Sequence, residues 1–292
     1  MHDLPALPSN VRTLLNDESS RLNRLYPDLP RSPDDCGTCG GRKRFLWWNR
    51  YSPDYRPDAP VIVEYDCPCE DQWILQRWLT LRGVNAVYQR LGWEDAQAVA
   101  PSTLDVVTDY LAHSERYVSV GMGFVLTGAK GTGKTMLANL MLKTLMLKGF
   151  DGYFSTFAEA LQTFRSGWND AEDKAWYANK VRGSRVMALD DVGREHFQQR
   201  YEEGKLTRNA QSVAESTLDE LLRHRVSSAK PTFLTTNFEM AQISQYYGDN
   251  VFSLITERSV LCEFKAADWR TSARERTQQE VRDGLSRPVV LL

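Results

Sequence analysis

The sequence has no apolar run near the roughly 20 residues that a membrane-spanning helix needs. Its opening, MHDLPALPSN, has neither the basic nor the apolar segment of a secretory leader. These absences predict a cytoplasmic protein with no membrane partner. Charge of one sign is lacking too, since 36 Lys and Arg stand against 38 Asp and Glu, 12 against 14 up to Ala100 and 24 against 24 beyond it. A basic arm for nucleic acid is thereby excluded, and any nucleic-acid contact has to come from a local patch. There is no internal repeat and no low-complexity tract. With 42% hydrophobic residues among 292, disorder is excluded as the main state and the chain is long enough for about two domains.

Cysteine is scarce outside one stretch. Four of the five fall in Cys36-Gly-Thr-Cys39 and Cys67-Pro-Cys69. In a reducing compartment four thiolates satisfy the tetrahedral preference of Zn²⁺, which can stabilise a segment too short for a core of its own. A site closed by Cys36, Cys39, Cys67 and Cys69 has no open position, so the metal is expected to be structural; buried or redox-exchanging thiols are the alternative. Between the pairs, Phe45 to Trp48 and Val61 to Tyr65 read as the strands of a zinc ribbon. Flanking stripes, Val11, Leu14, Leu15, Leu22 and Leu25 before and Trp73, Ile74, Trp78 and Leu81 after, have helical spacing. They read either as faces packed on the ribbon or as a docking surface, with Trp73 and Trp78 as aromatic anchors. The fifth cysteine, Cys262, lies in an apolar run and is expected to be an inert core thiol.

Further along, Gly128-Ala-Lys-Gly131-Thr132-Gly133-Lys134-Thr135 fits G-x-x-x-x-G-K-[ST] in full, between the strand-like Phe124 to Thr127 and the Leu- and Met-rich Met136 to Lys148. Backbone N–H groups of such a loop converge on phosphate oxygens at a helix N-terminus, the lysine reaches the terminal phosphates and the threonine hydroxyl can ligate Mg²⁺. Val186-Met-Ala-Leu-Asp190-Asp191 reads as a buried parallel strand with two carboxylates at its C-terminal end, Asp190 facing the magnesium and Asp191 polarising the attacking water. A third strand, Thr232 to Thr236, ends at Asn237, placed to hold the same water or the γ-phosphate. Arg258, in Ile255-Thr-Glu-Arg258, is either a surface ion-pair residue or an arginine finger.

In that order the motifs GAKGTGKT, VMALDD, FLTTN and ITER resemble the AAA+ ATPases, and within them the bacterial and phage replicative helicase loaders of the DnaC/DnaI type. The resemblance implies an α/β fold: a P-loop AAA+ three-layer sandwich with a parallel sheet, preceded by a small zinc-ribbon-like domain with flanking helices. It divides the chain into a zinc-binding, partner-docking domain over 1–90, a linker over 91–103 and an ATPase domain over 104–292 without a full C-terminal lid. By resemblance, ATP is bound by Gly128, Gly131, Thr132, Gly133, Lys134, Thr135 and Met136. Thr135 and Asp190 take Mg²⁺; Asn237 is sensor 1; Arg258 is the finger acting on a neighbour's ATP in a homo-oligomer. Asp191 stands where many AAA+ proteins have glutamate, which puts the hydrolysis rate in question. Arg270 is either a substitute for the missing lid arginine or a surface residue.

The implied function is ATP-dependent loading of a hexameric replicative helicase onto single-stranded DNA. A transposition-helper-type regulatory ATPase and a weakly hydrolysing nucleotide-switch adaptor are the alternatives. For DNA, the sequence offers Leu161 to Ser184, where Arg165, Trp168, Lys174, Trp176, Tyr177, Lys180 and Arg182 mix cations with aromatics as single-strand sites do. Asp170, Glu172 and Asp173 dilute that charge and leave a solvated helix as the other reading. A second stretch, Phe197 to Gln211, is either a pore-side loop or a solvated connection.

Overall fold

A computed structural model describes residues 8–29, 39, 42, 44–48, 56, 62–67, 69–164, 171–193, 208–265 and 268–283. Alternating apolar strands and helical segments fold as their periods dictate. Five parallel strands, β3 (Gly123–Gly128), β4 (Gly152–Thr156), β5 (Val186–Val192), β6 (Thr232–Thr236) and β7 (Ser259–Phe264), form one sheet. Their order is β4-β5-β6-β3-β7. This is the three-layer α/β sandwich that the AAA+ resemblance implies. Successive residues point to opposite faces, so that Phe124, Leu126, Val186, Ala188 and Phe233 enter one core, and Val125, Met187, Leu189 and Leu234 enter the other. All nine are essentially inaccessible, which is why these strands read as continuous apolar runs.

On the first face lies α7 (Lys134–Leu147), apolar nearly all round because it is covered on both sides. Outside it pack α1 (Val11–Asp17), α2 (Ser19–Leu25), α3 (Cys69–Leu81) and α5 (Pro101–Ala112), with the short α6 (Ser114–Ser119) leading into β3. The second face carries α8 (Phe157–Phe164), α9 (Ala171–Gly183), α10 (Arg208–Ser227) and α11 (Met240–Glu257), the last broken at Gly248, whose φ is 81°. A polar helix, α12 (Arg270–Arg282), follows β7.

The amino-terminal strands pair as an antiparallel hairpin, β1 (Arg44–Trp48) with β2 (Ile62–Asp66), in the register Phe45 opposite Tyr65. Both apolar stripes are found on helices, and their destination corrects the docking reading. Val11, Leu15, Leu22, Ile74, Leu75 and Trp78 belong to the same core as Leu140, Met141 and Leu145 of α7. Trp78 is 4% exposed, and Trp73 lies under the Arg77 guanidinium, 5.2 Å from its ring centroid. The stripes are spent on the core that α7 shares with the sheet.

The segment after α3 is packed as well. It contains α4 (Ala86–Gln89) and a 3₁₀ turn (Trp93–Ala98), and both lie on α7. The Asn85 carboxamide accepts from the Tyr88 N–H at 3.3 Å, Trp93 Nε1 donates to Thr144 Oγ1 at 3.1 Å, and the buried Lys143 ammonium binds the Tyr88 carbonyl at 3.1 Å and that of Leu91. No helix of the described residues is long and apolar enough to cross a membrane.

Candidate nucleotide site

The loop between β3 and α7 turns through two left-handed glycines, Gly131 at φ 78° and Gly133 at φ 96°. L side chains rarely adopt these angles. At Gly131 a Cβ would also lie 1.9 Å from Asp268 Oδ1, and Trp269 N–H donates to the Gly131 carbonyl at 2.9 Å, so the chain after β7 closes over the loop. Thr132 is buried and its hydroxyl donates to the Ala129 carbonyl at 2.9 Å; Met136 is buried in the first turn of α7. Lys134 Nζ donates to the carbonyls of Gly128 at 2.8 Å and Ala129 at 2.7 Å and to Asn237 Oδ1 at 3.0 Å. Burial lowers its pKa and the fields of Asp191 and Asp190 oppose the shift. The loop lysine and the residue at the end of β6, 103 positions apart, are thus in direct contact.

Asp190 accepts two hydroxyl hydrogen bonds on Oδ1, from Thr135 at 2.8 Å and from Thr235 at 2.5 Å. Burial pushes its pKa up to about 6 against those bonds. A buried carboxylate beside a threonine hydroxyl is a donor set that fits a magnesium ion carrying nucleotide phosphates; bound there, the ion would neutralise developing phosphate charge. Asp191 follows at φ 57°, a strained angle for a non-glycine residue. The strain marks a bulge: β5 and β6 pair at Leu189 with Leu234 and next at Val192 with Thr236, so β5 carries one extra residue. Thr235 holds both sides of it, since its oxygen accepts from the Asp191 N–H at 3.1 Å while its hydroxyl donates to Asp190. The sequence analysis missed Thr235, although a hydroxyl residue two positions before Asn237 at a strand end was the available signal.

Arg258 is not brought to this site. It precedes β7, and its carbonyl accepts from the N–H of Gly123 at the start of β3. The loop leaves the other end of β3, about 17 Å away by strand rise. Its half-exposed guanidinium meets Glu257 at 3.2 Å and the Val120 carbonyl at 3.4 Å.

Residues 109–260 match the family described as IstB-like ATP binding protein, just over half of the chain. The chain belongs to the IstB-like ATP-binding family. Among curated relatives, the replicative helicase loader DnaI of Bacillus subtilis is 24% identical over 243 residues, 77% of this chain and 71% of that one. The replicative helicase loader DnaC of Escherichia coli K12 is 20% identical over 178 residues, 61% of this chain and 67% of that one. A crystal structure of the DnaC helicase loader aligns with a TM-score of 0.45 at 24% identity, over 56% of this chain and 89% of that chain.

Two further features of this IstB-like protein bear on the sequence expectations. Cys39, Cys67 and Cys69 place their sulfurs within 4.8 Å of one another, Cys39 and Cys67 buried. The Cys39 to Cys69 separation of 3.6 Å is far longer than a disulfide bond and close to the about 3.8 Å edge of a tetrahedral zinc thiolate. Cys36 lies outside the described residues. The donor set suits zinc, and elemental analysis is expected to find one zinc per chain. Cys69→Ser should lower that content, whereas Cys262→Ser should not, because Cys262 is buried in β7 and burial raises its thiol pKa. A folded, metal-free preparation would contradict the assignment.

The proposed DNA segment is corrected in part. Tyr177 is buried with its hydroxyl against Ser155. The Trp176 indole N–H donates to Glu18 at 3.0 Å, and Arg21 and Lys180 both approach its ring, 5.4 and 5.3 Å from the centroid. Arg21 and Arg24 of α2 bind Asp173, and Arg21 also binds Glu172 at 2.6 Å. These two aromatics are engaged in packing and ion contacts, because the acidic residues that dilute the charge recruit α2 to the helix. Arg165, Trp168 and most of Phe197 to Gln211 lie outside the described residues.

Proposed function

We propose that this protein is an ATP-dependent loader of a hexameric replicative helicase, which it binds and delivers to single-stranded DNA as replication begins. The observation carrying this reading is the match to DnaI. It extends over 77% of the chain, well beyond the 109–260 span of the ATP-binding family, so similarity continues outside the nucleotide core. In this reading the loop from Gly128 to Met136 binds ATP, and Lys134 offsets charge on the γ-phosphate. Thr135 and Asp190 hold Mg²⁺, while Asp191 and Asn237 orient the attacking water. Arg258 serves a neighbouring copy, since it stands at the sheet edge opposite its own loop. Residues 1–90, with zinc on Cys36, Cys39, Cys67 and Cys69, dock the helicase through surface that the shared core leaves exposed.

One feature favours a second reading, a nucleotide switch with negligible turnover. Asp191 is a methylene shorter than the usual glutamate and sits in a strained bulge. Steady-state ATPase with and without single-stranded DNA separates the two. The loader reading itself is tested by mixing the full chain with the replicative helicase of the same genome under Mg·ATP and measuring mass by light scattering. A stoichiometric complex is expected. Separate species at micromolar concentration, from protein that binds ATP, would contradict it.

A further inference from the structure

A carboxylate from outside the nucleotide motifs stands on the phosphate loop. Asp268 lies between β7 and α12, and its Oδ1 would be 1.9 Å from a Cβ at Gly131, so it fills space that only a glycine leaves open. Two main-chain contacts fix it there. The Trp269 N–H donates to the Gly131 carbonyl at 2.9 Å, and the Asp268 Oδ1 itself accepts the Arg270 N–H at 2.9 Å. The N–H groups of such a loop are the ones that gather phosphate oxygens. A fixed negative charge in contact with it opposes every negative charge that a nucleotide brings.

The same carboxylate starts α12, a helix with no buried residue. Polar contacts therefore hold that helix in place. Six residues beyond Arg270, the Arg276 guanidinium meets Asp95 of the 3₁₀ turn, whose side chain is 1% exposed and also accepts the Gly92 N–H at 2.9 Å. That turn is fastened to α7, the helix that the loop begins, through Trp93 Nε1 and Thr144. α12 thus runs from the phosphate loop to the connector on α7. Because it buries no apolar face, it can leave its place without opening a core.

We propose that Asp268 is a specificity-determining charge of the nucleotide site: it sets affinity lower as the number of phosphates rises, and it couples nucleotide binding to release of α12 from the loop. The inference rests on the nucleotide-site reading above and deepens it. The coupling is reciprocal, since a bound polyphosphate disfavours the docked carboxylate by as much as the docked carboxylate disfavours the polyphosphate.

Asp268→Asn removes the charge and keeps an oxygen able to accept the Arg270 N–H. The test titrates full-length wild type and variant with a non-hydrolysable ATP analogue and with ADP, both with Mg²⁺, at low and high salt. Melting temperature and amide exchange are followed on the same samples. The variant should bind the analogue roughly two- to fivefold more tightly at low salt and ADP with a smaller gain, and both gains should shrink as salt screens the exposed carboxylate. Melting temperature should be unchanged, and in the wild type the analogue should speed exchange over residues 268–282. Equal affinities in the two proteins, or a gain of one size for both nucleotides at both salts, would overturn the proposal and leave Asp268 as a helix cap. Slower exchange over 268–282 when the wild type binds the analogue would overturn it too. Failure of the wild type to bind either nucleotide would instead bring down the nucleotide-site reading, and this inference with it.

Discussion

Lys134→Ala should lower ATP turnover by roughly 10²- to 10³-fold or more, the scale on which loss of one preorganised charge contact at a transition state is felt. The ammonium is held in the loop by the Gly128 and Ala129 carbonyls and by Asn237, and burial already lowers its pKa. These three acceptors use all the donors of the ammonium, so binding to a terminal phosphate exchanges one or more of them for phosphate oxygens. Removing the ammonium also leaves two loop carbonyls and the Asn237 oxygen without this donor, so nucleotide affinity should fall as well as rate. Steady-state turnover and analogue titration on the same preparation check this, and wild-type values for both would remove the site assignment.

The largest effect on stability is expected far from the nucleotide. Arg225, in α10, is 0% exposed. Its guanidinium donates to the carbonyls of Val181 and Ser184 at 3.1 Å and Pro231 at 2.8 Å, and to Thr232 Oγ1 at 2.9 Å. It thereby joins the end of α9, the entry to β5 and the entry to β6. Burial pulls its pKa down to about 9, still charged at neutral pH. Replacing a buried charge by an apolar side chain can be neutral when its partners are replaced too; here the partners are mostly main-chain carbonyls and remain. Arg225→Met should therefore cost on the order of 3–5 kcal/mol, since the Val181 and Ser184 carbonyls lose this donor at about 1–3 kcal/mol for each buried group, while the Pro231 carbonyl keeps the Met187 N–H. For a domain of this size that is a fall of roughly 10 °C in melting temperature. A variant within about 1 kcal/mol of wild type in urea unfolding would show that water replaces the guanidinium.

Much of this was legible in the sequence because two periods carry it. Buried parallel strands read as apolar runs, and β6 over Thr232–Thr236 is found as expected. The phosphate loop is legible because only a glycine-rich turn at a helix start packs this chemistry into eight residues. What the sequence concealed are contacts between distant elements that no spacing encodes. Thr235 looks like any strand threonine until the bulge at Asp191 brings it against the Asp190 carboxylate and the Asp191 N–H. Trp78 looks like a docking anchor and Trp176 like a base-stacking residue, and only the fold shows the first buried in the shared core and the second held against Glu18 and Arg21. Lys143 looks like the polar side of a helix, yet it is 2% exposed and clasps the connector.

In the proposed function a nucleotide bound by one copy of the chain is served by Arg258 from the next, because that arginine sits about 17 Å along β3 from its own loop. The direct measurement is ATPase in mixtures of two inactive variants, Arg258→Ala and Lys134→Ala. Each should be silent alone, and mixing should restore activity at interfaces that pair an intact loop with an intact arginine. Mixtures as silent as their components, from protein that still assembles, would show that both residues act within one subunit.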